Sequence, residues 1–302
     1  MAAIRALSAL FALPLLVSAC LPDDTRAPPG KLVVTVSADE ALSQGIASTE
    51  DGWSITYTRF LVVLGGVRLG GDGPGSDGDC DAYTESHYGR IFELTGPSPQ
   101  RVMVGYALGT CRFGFRVASP SWDTLLGSGV SAADDTFLRT PGSDAHATNA
   151  GISVHIEGSA RRLAVTKTFN WSFRRFIEYD ECVVPSDDQT GGELAFSADQ
   201  TTAVDILIRG GALFQNAPFE QEVLPRFEPY RAADDEHGNH DGDVTLEELQ
   251  NSPLPEGVLT HPLIETLGDR LYLQLLPEIA RFQGVGRCQV SSSEKRPDSR
   301  GP

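Results

Sequence analysis

Residues 52–69 read GWSITYTRFLVVLGGVRL. Trp53, Ile55 and Tyr57 alternate with Ser54, Thr56 and Thr58, the period of two that sends successive side chains to opposite faces of a β-strand. From Phe60 to Leu64 the alternation stops and every residue is apolar. A strand that begins half-exposed and then turns apolar on both faces is entering the centre of a sheet. Gly65-Gly66 offers a place for a bend or bulge.

Working outward, Leu32, Val34 and Val36 predict a first strand, and further strands are expected over 91–94, 102–108, 111–117, 151–158, 163–173, 194–197 and 202–209. In 163–173, Val165, Phe169, Trp171 and Phe173 share a face with Lys167, while Thr, Asn and Ser side chains take the other. Short strands separated by turn residues predict a mainly β chain with a β-sandwich-like body over 31–215, and a closed barrel fits the same pattern. The 31 glycines and 19 prolines suit such a turn-rich design, and 40% hydrophobic content in 302 residues suffices for a core. His155 and Glu157 share a strand face opposite Ile152, Val154 and Ile156, and read as solvent-facing, with a metal pair as the alternative.

Two loops interrupt the strands. Residues 70–81 carry Asp72, Asp77, Asp79 and Asp81, a surface loop tied down by Cys80 or a second cation loop. Residues 119–149 contain Trp122, Asp134, Asp135 and His146, a stretch long enough for a functional loop or for an insertion.

The richest chemistry lies in residues 233–249, ADDEHGNHDGDVTLEEL. Gly242 can take the left-handed turn of an oxygen-lined cation loop, Val244 follows two positions later, and Glu248 stands where a bidentate carboxylate would close the shell. This loop resembles an EF-hand. In strict register Gly242 is the sixth position, Asp241 the fifth, Asn239 the third and Glu248 the twelfth, which puts His237 where an aspartate belongs. Imidazole suits a hard cation poorly, so either the loop is two or three residues longer, with Asp234 or Asp235 first, or the site has drifted and binds weakly if at all. Asn239, Asp241, the Asp243 carbonyl and Glu248 would complete a calcium shell. Alternatives are a polar turn capping a helix, and a zinc or copper site built on His237 and His240 with Asp241.

The helix entering this loop is expected to be short or kinked, because Pro225 and Pro229 interrupt its spacing. The exit is capped by Thr245, with Glu247 and Glu248 in the first turn. Leu263, Leu267, Leu271, Leu275 and Ile279 then recur every four residues, with Ile264, Leu276 and Phe282 alongside, a stripe that packs helices onto the body until Pro277 divides them. Residues 216–289 thus form the loop-and-helix region, and residues 290–302 read as a disordered tail.

At the other end, Arg5 precedes an apolar run over 6–17, the layout of a secretory signal and too short for a comfortable membrane span. Val17-Ser18-Ala19-Cys20 resembles the lipobox of bacterial lipoprotein precursors. That resemblance implies a signal peptide over 1–19, a lipidated Cys20 as the mature N-terminus and a membrane anchor in the cell envelope. Leu21, not an aspartate, follows the cysteine and points to the outer membrane by the same resemblance. Residues 20–30 form a proline-stiffened tether. An exported chain keeps disulfides, and Cys80, Cys111, Cys182 and Cys288 remain after the anchor. Three pairings are open to them, and the expected one is Cys80 with Cys111 and Cys182 with Cys288, each worth about 3–5 kcal/mol on the chain-entropy model.

Taken whole, the layout resembles a group of bacterial envelope lipoproteins of uncharacterised activity. The shared features are the DGW-to-RFLV strand over 51–62, the F-N-W-S-F strand ahead of Cys182, and the DG-x-VT-x-EEL loop. The formal charge of -17, without clustered Lys and Arg, argues against a phosphate-backbone partner, and no nucleic acid is expected. G-x-S-x-G, H-E-x-x-H and G-x-x-x-x-G-K are absent from the sequence. The expected function is therefore a non-enzymatic, lipid-anchored protein holding calcium in a structural loop, the alternatives being the transition-metal site and an envelope enzyme with dispersed catalytic residues.

Overall fold

The computed structural model describes residues 28–70, 80, 89–142, 151–184, 193–215, 225–255 and 262–293. The chain opens with β1 (Gly30–Ala38), α1 (Glu40–Gln44), β2 (Ser54–Gly70), β3 (Gly89–Glu93), β4 (Gln100–Ala107) and β5 (Gly109–Val117). Next come β6 (Leu125–Leu126), α2 (Ala132–Leu138), β7 (Val154–Arg162), β8 (Val165–Phe173) and β9 (Phe176–Val183). β10 (Glu193–Phe196), β11 (Thr201–Ile208), a 3-10 turn (Gly210–Phe214), α3 (Glu228–His237), β12 (Asp243–Val244) and α4 (Leu246–Asn251) follow. The chain closes with α5 (Leu267–Asp269), β13 (Ala280–Phe282) and β14 (Arg287–Ser293).

These strands form a mainly β, sandwich-like body of two sheets. One has four strands in the order β13-β11-β1-β4; the other has ten and runs β12-β8-β7-β2-β5-β9-β14, with β10, β3 and β6 attached. A continuous core lies between them, built from Leu32, Val34 and Val36 of β1, Phe60, Val62 and Leu64 of β2, and Phe169, Trp171 and Phe173 of β8. The period of two in the sequence accounts for this inner face.

β2 is the hub. It pairs with β7 along Ser54–Val62, with β3 along Leu61–Gly65 and with β5 along Leu64–Gly70. Its register slips between Gly65 and Arg68, and Gly66 takes φ +53°, where an added Cβ would run into the Arg116 guanidinium. The apolar run from Phe60 to Leu64 is buried on both faces because the outer face has a small core of its own. There Leu61 and Val63 pack with Ile91, Leu138 and Ile152. Leu138 comes from α2, so the stretch expected as loop or insertion over 119–149 supplies the cover. Ser131 caps that helix in a reciprocal box with Asp134, and Asp134 reaches Arg59 of β2 at 2.5 Å.

His155 departs from its expected solvent position. It lies on the outer face of β7 but is 3% exposed, roofed edge-on by Phe137 of α2 at 4.7 Å between ring centroids. Its ring nitrogens meet Ser172 Oγ and Glu157 Oε1, each at 2.9 Å.

Both disulfides form as expected, Cys80 with Cys111 and Cys182 with Cys288. β9 was hidden in the sequence because Glu178, Asp180 and Glu181 interrupt its apolar residues; they are paired with Arg112 of the adjacent β5 and, across it, with Arg68 of β2. Beyond the loop and helices expected for 216–289, this segment adds strands to both sheets. Phe282 belongs to β13, not to a helical stripe, and β14 carries ordered pairing to Ser293, past the expected start of the tail at 290. The Leu267, Leu271 and Leu275 stripe is buried as expected, whereas Leu263 is 74% exposed. A strict repeat of four drifts around an α-helix of 3.6 residues per turn, and the chain relieves the drift by passing from α5 into a wider π turn over Arg270–Leu275.

Candidate functional site

α3 starts where its sequence allows. Pro229 sits in the first turn, where its missing N–H costs no helical bond, and the Asp51 carboxylate accepts the amides of Phe227 and Glu228 at 2.9 and 2.7 Å. The helix then continues through both candidate first-position acids, ending at His237. The entering helix is a single short segment over Glu228–His237 that starts after Pro225, and Asp234 and Asp235 lie in its last turns.

The loop closes through its own backbone and three carboxylates. Gly242, at φ +92°, donates its amide to Asp234 Oδ2 at 3.1 Å. Glu248 Oε1 accepts the Asn239 amide at 3.1 Å, and Oε2 accepts the Thr245 amide and hydroxyl at 2.9 and 3.0 Å. Thr245 Oγ1 in turn accepts the Glu248 amide, which completes a capping box. Gly238 is needed for this closure, since a Cβ there would lie 2.1 Å from Glu248 Oε1. Asn239 and Asp241 bond to each other, side chain to side chain at 2.9 Å, and Asp241 Oδ1 accepts the Asp243 amide at 2.8 Å.

On its far side the loop meets the edge of the ten-stranded sheet. Asp243 and Val244 pair in parallel with Thr168 and Phe169 of β8, Thr168 donates its amide to the Gly242 carbonyl at 2.9 Å, and Trp171 Nε1 donates to the Val244 carbonyl at 2.8 Å. Val244 is buried and Asp243 holds Thr168 Oγ1. An edge strand otherwise presents unpaired N–H and C=O groups, and the loop covers part of that edge.

Lys167, which the strand period places on the face of Phe169 and Trp171, carries a role that the sequence did not assign to it. On β8 it faces inward at 5% exposure, and its Nζ contacts Asp234 Oδ2 and lies 2.6 Å from Asp235 Oδ1. Burial pulls the ammonium pKa down, but the two carboxylates outweigh it and the net shift is upward. Reciprocally, the Lys167 hydrogen bond, against some desolvation, holds the Asp235 carboxyl below its usual range, with Arg231 assisting at 2.6 Å. Asp234 is fully buried, and its Oδ1 has no hydrogen-bond partner.

The six expected calcium ligands are thus near one another in the chain but separately engaged. Asp234 and Asp235 face Lys167, Glu248 ties the two ends of the loop, Asn239 and Asp241 face each other, and Asp243 faces Thr168. Among the described residues no three His, Cys, Asp or Glu side chains converge as a metal-holding group. His240 is exposed, 3.7 Å from Asp235, and His237 is exposed at the end of α3. The lipidation residue Cys20 and the acids Asp72, Asp77, Asp79 and Asp81 lie outside the described residues, as does His146. Among the described residues no helix is long and apolar enough to cross a membrane. No protein-family model matches the chain, and no curated protein or solved structure matches it at a significant level.

Proposed function

We propose that the chain is a lipid-anchored cell-envelope protein, tethered to the outer membrane through Cys20, in which residues 234–248 act as a structural brace. The brace joins α3 to α4 and closes the β8 edge of the ten-stranded sheet. The observation that carries this reading is the pairing of Asp243 and Val244 with Thr168 and Phe169, clamped by the Trp171 bond to the Val244 carbonyl. The anchor half of the proposal rests on Val17-Ser18-Ala19-Cys20. Glu248→Gln keeps the side-chain volume but replaces an acceptor oxygen by a donor opposite an amide. This variant is expected to lower thermal stability, and a wild-type melting curve would contradict the brace. Incorporation of labelled fatty acid into the wild type but not into Cys20→Ser tests the anchor.

A calcium-held loop is the second reading, and one observation favours it: the buried, unpartnered Oδ1 of Asp234 could turn to a cation. Calcium would then be held from the Asp234 or Asp235 position together with Asn239, Asp241, the Asp243 carbonyl and Glu248. A rise in melting temperature at millimolar calcium, abolished by Glu248→Gln, would establish it.

A further inference from the structure

Lys167 stands on the inner face of β8, ahead of Phe169, Trp171 and Phe173 at the two-residue period. An ammonium withdrawn from water needs anionic partners in contact, and both partners here belong to the last turns of α3. The Asp234 oxygen that meets Lys167 also accepts the amide of Gly242, the glycine that turns the loop. In an EF-hand the first-position carboxylate faces the metal ion and the sixth-position glycine makes the turn around it. Here, with Asp234 in the first position, the charge that its carboxylate faces is an amine carried by the neighbouring strand.

Resting on the brace reading, we propose that the Lys167 ammonium is the resident cation of this loop, so that the loop closes on the sheet without calcium. One positive charge neutralises Asp234, which is fully buried, and shares Asp235 with Arg231. A divalent ion at the same carboxylates would have to displace that ammonium or lie beside it against like-charge repulsion. The remaining acids of the loop are turned to other tasks, Glu248 to the amides of Asn239 and Thr245 and Asp241 to the amide of Asp243. The lysine also ties the entering helix to the sheet edge that the brace closes, since it belongs to β8 and its partners to α3.

The test is thermal melting of the full mature chain in EDTA and in millimolar calcium, for wild type, Lys167→Met, Asp234→Asn and the double variant. Wild type is expected to melt at the same temperature in both media. Lys167→Met is expected to melt lower by on the order of 5–10 °C, because it leaves a buried carboxylate without its cation. The double variant should lose clearly less than the sum of the singles. A wild-type melting temperature that rises with calcium and falls with EDTA would overturn the proposal, as would additive singles. The wild-type arm stands even if Lys167→Met does not fold. Glu248→Gln measured alongside separates the two readings: if it is silent the brace fails, whereas the calcium and Lys167 arms read the cation alone.

Discussion

Two polar side chains are buried on neighbouring strands of the same sheet, on opposite faces, and the protein treats them differently. Lys167 of β8 points into the main core and meets two carboxylates delivered by a helix from far along the chain. His155 of β7 points outward, meets a serine and a glutamate from its own and the adjacent strand, and is covered by Phe137. The inner residue carries a full charge, so its partners must be charged and exact in placement. The outer residue is satisfied by local neighbours, its Nε2–H donating to the Glu157 carboxylate and its Nδ1 meeting the Ser172 hydroxyl, and the helix above it carries Leu138 into the apolar cluster on that face. Burial of charge, then, ties distant elements together on one face, while apolar packing secures the other.

The largest effect expected from breaking this comparison is on the inner side. Lys167→Met should destabilise the fold by about 3–5 kcal/mol, the usual cost of removing one partner from a buried ion pair, with chemical denaturation as the measurement. Glu248→Gln comes next, at about 1–2 kcal/mol, because it disturbs a helix cap and a loop-closing bond without stranding a charge. His155→Gln should cost about 1 kcal/mol, since an amide can keep one of the two polar contacts while the other is lost with the ring contact to Phe137.

A finer distinction is electrostatic. The Asp235 carboxyl is held below its ordinary pKa in the folded state, chiefly by the hydrogen bond from Lys167. A depressed folded pKa contributes stability that is fully present above the unfolded value, about 3.9, and is lost as pH falls through the lower folded value. The wild type should therefore lose stability below about pH 4 more steeply than Lys167→Met, in which only Arg231 still holds that pKa down. Equal acid slopes in the two proteins would remove the electrostatic half of the comparison.

The body of the fold was legible in the sequence because its signals are local. The alternation ending at Tyr57 and the double-sided run from Phe60 to Leu64 place β2 at the sheet centre, and the loop signature at Gly242, Val244 and Glu248 marks a turn that does close in the structure. What stayed hidden depends on partners distant in sequence. The acids of β9 look like loop residues until Arg68 and Arg112 are set beside them. The double-sided burial of β2 needs Leu138 of α2, which no periodicity in β2 could announce. Lys167 did leave a trace, a lone charge on an otherwise apolar strand face, and such a residue calls for an anionic partner. Naming that partner required the fold, because Asp234 lies 67 residues away.

Amide hydrogen exchange over residues 238–245 and 166–169, in wild type and in Lys167→Met, bears most directly on the brace and its cation. Protection of both segments in the wild type, equal in calcium and in EDTA and lost together in Lys167→Met, is the predicted result. Protection that follows calcium in the wild type, or that survives the loss of Lys167, would contradict it.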